Sequence, residues 1–544
     1  MKIPAGLLIA LALSASAFSQ TSAPAAPTLT AGAEFKGLRF DWDKVPGATW
    51  YQLEFRAHQT GPFVQQGDDF AATATSTHFS FPLHLFDWTY ARYRLAACNS
   101  AGCSRSPEVS VSALRLDAVG YFKAAQPELH ATFGAEGDLS PDGNNFVAAA
   151  PNEDATETGA YLNGGAAYVF RRGSDGKWFQ RARLDLHDHA DAMDGIDVNV
   201  ASSGSGNTVA VALGTYWVGG VGDPKGEVDV YYAKPGTGSY IATRIPRPAV
   251  DGFGTSVALS ESGYILAVGV SDDQTSAAIY KSVNGVWQNV RNLPGSQNGV
   301  DDFCFTPVLS RDGKTIAQRC ETPGSATPKP IRTYVRVYSG SNWSVRTEFD
   351  LENSPSGILE WSHTGLAIDG TGDTIAVQFR KPEDPGTPSN RNGIAEVRVY
   401  KRGSAGYLQI ARLTPGVWRT KDRGDYYGMR LSLSGDGHTL AAGDTYDNGT
   451  GTGPRAAPLV SGTAQTGAVY VYRLTDTWKL ANMVKPNYIP SSRPALYDFG
   501  YAVSLSQTGK TLLVPVGGES SSAKGIDGNW ANSDLPSSGA VFLY

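Results

Sequence analysis

The chain has 544 residues, of which 62 are glycine, 10% are aromatic and only 18% are charged. A formal net charge of −6, with no long basic run, argues against a broad nucleic-acid-binding surface. Beyond the first twenty residues no apolar run approaches the roughly 20 residues that cross a bilayer, so no transmembrane segment is expected.

In chain order, Lys2, an apolar stretch over residues 7–13 and the small residues Ala15-Ser16-Ala17 read as an export signal covering 1–20. The expected location is secreted, periplasmic or cell-surface. The four cysteines fall in two close pairs, Cys98 with Cys103 and Cys304 with Cys320. In an oxidising compartment such pairs are expected to form two disulfides. Taking Arg311-Asp312-Gly313 as a hairpin turn sets Ser310 opposite Lys314, and counting outwards sets Cys304 opposite Cys320.

Residues 23–116 form a first domain. Leu38-Arg39-Phe40-Asp41-Trp42 and Trp50-Tyr51-Gln52-Leu53-Glu54-Phe55 alternate as half-buried strands do. A third strand begins at Tyr93 and runs into the Asn99-Ser100-Ala101-Gly102 turn. With Trp42 in an early core strand, Tyr51 in the next and Tyr93 leading the strand before the Asn-Ser-Ala-Gly turn, the segment resembles a fibronectin type III domain. The resemblance implies a two-sheet sandwich.

Residues 117–544 repeat. Turn glycines at Gly143, Gly206, Gly263, Gly313, Gly372, Gly437 and Gly509 lie roughly 50 to 72 residues apart, one period for each group of four strands. A third strand ends in a Val-Tyr-like pair, as at Val169-Phe170, Val337-Tyr338, Val399-Tyr400 and Val471-Tyr472. A fourth often opens on an aromatic, as at Trp178, Tyr240, Trp287, Trp343, Tyr407 and Trp478. The last copy lacks its fourth strand, and Gly120-Tyr121-Phe122 precedes the first copy as an orphan strand. The expected fold class is therefore all-β, a fibronectin type III-like sandwich followed by a seven-bladed β-propeller closed by an N-terminal strand.

Phe133-Gly134, Phe253-Gly254 and Phe499-Gly500, with Tyr427-Gly428, each stand nine positions before a turn glycine. With Ala149-Ala150-Pro151, they make this region resemble the FG-GAP propeller repeats of integrin alpha chains and of secreted bacterial proteins. In such repeats calcium sits in loops of alternating Asp and Asn. Here turns such as Ser140-Pro141-Asp142-Gly143, Ser310-Arg311-Asp312-Gly313 and Ser434-Gly435-Asp436-Gly437 offer one carboxylate each, so calcium is not expected there and no cofactor is assigned.

Other candidates have bland readings. His187-Asp188-His189-Ala190-Asp191 with Asp194 reads as a solvated loop. The aspartates before the Phe-Gly strands, Asp251, Asp302, Asp425 and Asp498, read as turn residues. The tripeptide Arg423-Gly424-Asp425 overlaps that repeat feature. No nucleophile elbow, phosphate loop or zinc-protease helix is present.

In a four-strand meander the first and third turns share one end, and the second turn and the inter-sheet link share the other. The first turns are short. The long segments 151–165, 214–226, 321–332, 381–393, 444–466 and 517–538 all fall at the second-turn end, where binding is expected. The candidate binding residues are Tyr161, Tyr216, Trp217, Tyr446 and Trp530 in these loops and Trp418 in a link; Tyr426, Tyr488 and Tyr497 add further aromatics to the links. The expected function is non-enzymatic recognition of an extracellular glycan or protein through this long-loop face. The alternative is a secreted polysaccharide-degrading hydrolase or lyase, which would need a convergent carboxylate pair in a cleft on the same face.

Overall fold

Alternating apolar residues and glycine turns produce an all-β chain. The computed structural model describes residues 22–544 apart from 154–164, 187–196, 215–225, 251, 273–274, 296–302, 323–330, 355–364, 383–392, 416–425, 456–464 and 490–497. The expected export signal, 1–20, lies outside the described residues. Among the described residues no helix is long and apolar enough to cross a membrane.

The chain divides into two units. The first comprises the described residues up to Glu34, with Leu38–Phe79 and Asp87–Leu114. Its strands form a three-stranded and a six-stranded sheet. Phe40, Trp42, Tyr51 and Tyr93 are buried, with ring contacts of 4.5 Å for Phe40–Tyr93 and 5.7 Å for Trp42–Tyr51. Cys98 is paired with Cys103 across the tight turn at Asn99–Gly102.

The second unit comprises Phe35–Gly37, Ser80–Phe86 and Arg115–Tyr544. Among its described residues, seven sheets follow one another, each an antiparallel meander. By first and fourth strands, sheet 1 runs from Gly137–Leu139 to Trp178–Asp185, sheet 2 from Asp197–Ser202 to Tyr240–Arg244, and sheet 3 from Phe253–Leu259 to Val286–Pro294. Sheet 5 runs from Leu366–Ile368 to Gly406–Leu413, and sheet 6 from Leu431–Leu433 to Trp478–Val484. Sheet 4 starts with a strand broken into Phe303–Cys304 and Val308–Leu309 and ends at Ser344–Ser354. Sheet 7 starts at Ser504–Leu505; its fourth place is taken by Gly120–Phe122, which pairs with Ala540–Leu543. First strands from all seven line one central cavity of about 290 Å³. The arrangement is consistent with a β-propeller.

The break in sheet 4 corrects the cysteine register. The turn actually sets Leu309 opposite Ile316, with Ser310 N–H donating to the Thr315 carbonyl, one position away from the expected Ser310–Lys314 pairing. Between Val308 and Cys304 the strand slips by one residue, and Cys304 still lands opposite Cys320, to which it is disulfide-bonded. The expected pair forms, but through a bulge rather than a continuous ladder.

The Phe-Gly dipeptides tie sheets 1, 3 and 7 to the sheet before each. Phe133, Phe253, Tyr427 and Phe499 are fully buried. The glycine after each adopts a positive φ, from 77° to 90°. For Phe133, Phe253 and Phe499 the partner is the glycine just before the preceding sheet's third strand. Phe499 bridges Gly467 and Phe133 bridges Gly539, and a Cβ on Gly226, Gly467 or Gly539 would overlap the carbonyl oxygen of Phe253, Phe499 or Phe133.

The Val-Tyr pairs also acquire a physical meaning. In sheets 1, 3, 4, 5 and 6 the ladder between third and fourth strands slips by one residue at Val169/Phe170, Ile279/Tyr280, Val337/Tyr338, Val399/Tyr400 and Val471/Tyr472. The aromatic of each pair is buried, while an extra residue bulges from the outer strand. A bulge twists an edge strand away from a foreign strand.

Candidate functional site

The first-turn end uses up its own polar groups. In the turn at Gly313, the Ser310 hydroxyl donates to Asp312 Oδ1 at 2.6 Å and accepts from Thr315 N–H at 2.9 Å, and Lys314 N–H donates to the same carboxylate at 3.0 Å. The turns at Gly143 and Gly437 repeat this pattern with Ser140–Asp142 and Ser434–Asp436. The carboxylates close their own turns, which is why Ser-x-Asp-Gly recurs.

Two arginines enter the central cavity. Arg311, on a first turn of sheet 4, donates to the Leu505 carbonyl of sheet 7 at 3.0 Å. It also faces Asp138 of sheet 1, whose carboxyl burial pushes up in pKa while Arg311 and the Ser202 and Ser504 donors oppose that rise. At the other end, Arg430 of sheet 6 donates to the Tyr501 carbonyl at 2.9 Å and pairs with Glu136 at 3.2 Å.

The second-turn end is held by buried ionic staples. In sheet 6, Asp447 lies three residues past the second strand, where Lys485 Nζ, the Tyr470 hydroxyl and Gly449 N–H donate to its carboxylate. In sheet 7, Lys123 Nζ donates to Glu519 at 2.8 Å, to the Ser521 carbonyl and to the Ser538 hydroxyl. In sheet 1, Glu153 accepts from Tyr168 and Arg183. Burial lowers the Lys123 pKa, against the pull of Glu519. The sequence reading missed these groups. Their signal is a lysine directly after an apolar fourth strand, Val484-Lys485 and Phe122-Lys123.

The staple in sheet 6 carries Tyr446, one of the expected binding residues. Tyr446 stacks on Tyr426, with ring centroids 3.9 Å apart and planes 13° from parallel, and both side chains are half-exposed. The Tyr446 hydroxyl is raised in pKa by burial, by a hydrogen bond with Tyr426 and by the charge of Asp498. Asp498 itself is raised to about 6 by burial and has a φ of 50°. Two aromatics and a carboxylate therefore converge between sheets 6 and 7.

Trp530 is half-exposed. Its segment, 517–538, does more than form a loop. Residues 525–527 run along the edge of Gly120–Phe122, with Lys123 N–H donating to Gly525 O at 2.7 Å, Asp527 N–H to Tyr121 O at 2.8 Å, and Ile526 bridging Phe122. Among the described residues no ring contact joins Trp530 to the tyrosine pair. Tyr161, Tyr216, Trp217 and Trp418 lie outside the described residues, as do Tyr497, the 187–194 cluster, the Arg423-Gly424-Asp425 tripeptide, Asp251 and Asp302. Among the described residues no group of three or more His, Cys, Asp or Glu is placed to hold a metal ion.

No protein-family model matches the chain, and no curated protein matches it significantly. Among solved structures, it is similar to U3-55K at 10% identity and a TM-score of 0.40, over 78% of this chain and 98% of that one. It is also similar to a putative 6-phosphogluconolactonase from Bacteroides uniformis at 9% identity and a TM-score of 0.38, over 81% and 97% of the two chains. A putative 6-phosphogluconolactonase from Bacteroides fragilis matches at 10% identity and a TM-score of 0.30, over 68% and 97%. At these values no activity or partner carries over to this chain.

Proposed function

We propose that the chain is a secreted or cell-surface binding protein without catalytic activity. In this reading a fibronectin type III-like sandwich precedes a seven-bladed propeller of the FG-GAP type, which recognises an extracellular glycan or protein through its long-loop face. The observation that carries it is the half-buried Tyr426–Tyr446 stack at the second-turn end. At the opposite end the turns spend their hydroxyls and carboxylates on themselves. A rigid scaffold that exposes aromatics at one end and closes its polar groups at the other is suited to recognition. Two disulfides and an apolar leader support export.

The polysaccharide-degrading alternative has Asp498 in its favour, because a carboxyl raised to about 6 suits proton transfer. It needs a second carboxylate at the site, and Asp447 is instead committed to Lys485 and Tyr470. Screening the purified protein against glycan and extracellular-protein arrays, with hydrolysis and elimination assays on the same polysaccharides, separates the two readings. Binding without turnover is expected. Turnover of any polysaccharide would overturn the non-enzymatic assignment, and absence of both would overturn recognition altogether.

A further inference from the structure

We propose that the cluster of Tyr426, Tyr446 and Asp498 is a sugar site, which takes an uncharged pyranose of a glycan chain against the tyrosine pair, with neighbouring hydroxyls on the Asp498 carboxylate. The inference rests on the recognition role assigned above to the long-loop face, and narrows its ligand.

A pyranose has apolar C–H faces and a polar rim of hydroxyls. Its complement is an aromatic platform beside an acceptor that can take two hydroxyl donors, and a carboxylate with two oxygens is such an acceptor. The tyrosine pair supplies the platform: each ring fixes the other at 3.9 Å, and both remain only half-buried. Asp498 supplies the acceptor: it directly precedes Phe499-Gly500, whose backbone packs against Gly467 and Gly443 at the two ends of the Tyr446 loop, and its charge acts on the Tyr446 hydroxyl. Its charge is negative, so the site favours an uncharged sugar over a uronate or a sulfated one.

The cluster is built rather than incidental. Tyr446 N–H donates to Asp444 Oδ1 at 3.2 Å, and the buried Asp447 next to it is gripped by Lys485, Tyr470 and Gly449. Lys485 also donates to the Gly467 carbonyl at 2.9 Å, and Thr466 and Gly467 N–H both return to Asp447 O at 3.0 Å. The loop is thus closed at both ends on one buried ion pair. On the other side Tyr427, beside Tyr426, is fully buried and donates its hydroxyl to Tyr472 at 2.8 Å. Asp498 O accepts from Tyr501 N–H at 2.9 Å. Ordering costs that a flexible loop would meet on binding are met during folding.

The test is titration calorimetry of the full protein with hexaoses of β-1,4-glucose, β-1,4-mannose, β-1,4-xylose and α-1,4-glucose, and with hexagalacturonate. At least one neutral hexaose should bind. Tyr446→Ala and the near-isosteric Asp498→Asn should each weaken it by about tenfold, with the circular dichroism spectrum unchanged. Tyr446→Trp should retain binding. If Tyr446→Ala fails to fold, Asp498→Asn with Tyr446→Trp decides. Neutral binding unaffected by these substitutions would remove the site and leave the recognition role standing. Binding of hexagalacturonate alone, or of a purified protein ligand that Tyr446→Ala displaces, would overturn the sugar assignment while keeping the face. If no hexaose binds the wild type, the sugar assignment fails; if the arrays are also blank, the recognition role fails with it.

Discussion

At the scale of single residues, charge burial organises the second-turn end. Lys123 and Glu519 are 0% and 2% exposed and 2.8 Å apart. Removing one member of such a pair leaves an uncompensated charge in a dry site, which costs far more than the pair contributes. Lys123→Met is therefore expected to destabilise the repeat region by about 3–5 kcal/mol. The double change Lys123→Met with Glu519→Leu should recover much of that loss. Urea unfolding of the three proteins measures both. Equal losses in the single and double variants would mean that the pair acts through packing instead of charge.

At the scale of elements, the Phe-Gly strand and the glycine opening the neighbouring third strand form one joint. Gly467 has a φ of 77° and sits against the Phe499 carbonyl, so a methyl group has neither the backbone conformation nor the room it needs. Gly467→Ala is expected to cost about 1–3 kcal/mol and to raise amide exchange where sheets 6 and 7 meet. Gly285→Ala, at a positive-φ glycine with open space around it, would show the conformational cost alone. If the two variants lose the same stability, the close approach contributes nothing. The same joint explains the glycine before the third strand at Gly226-Glu227, Gly467-Ala468 and Gly539-Ala540.

At the scale of the whole repeat unit, the seam is where the N-terminal strand Gly120–Phe122 joins Ala540–Leu543. Two arginines act across it. Arg311 reaches from sheet 4 to Leu505 of sheet 7 and faces Asp138 of sheet 1, and Arg430 links Tyr501 of sheet 7 to Glu136 of sheet 1. Arg311→Met should remove an opposing cation from the half-buried Asp138 and raise amide exchange in Gly137–Leu139 and Ser504–Leu505, with sheet 3 unchanged. A uniform increase across all the sheets would instead indicate general loosening, and no increase would mean that the axis is held by the backbone ladders alone.

What the amino-acid order determined by itself is local. Alternation of apolar residues, turn glycines and the Val-Tyr and Phe-Gly pairs specify strands and their succession, because each depends on residues a few positions apart. The cysteine pairs are legible for the same reason, with separations of 5 and 16 residues. Even there, the bulge that aligns Cys304 with Cys320 depended on the packed sheet. Tyr446 could be singled out as an aromatic in a long loop, and Asp498 as one of a recurring set. Their meeting with Tyr426 could not be read, because it joins a second turn to two different links. The staples and the axis are further out of reach. Lys123 and Glu519 are 396 residues apart, and an ion pair over that distance has no periodicity to betray it. Only the pairing of Gly120–Phe122 with Ala540–Leu543 brings Lys123 and Glu519 together, and burial then makes that pairing obligatory.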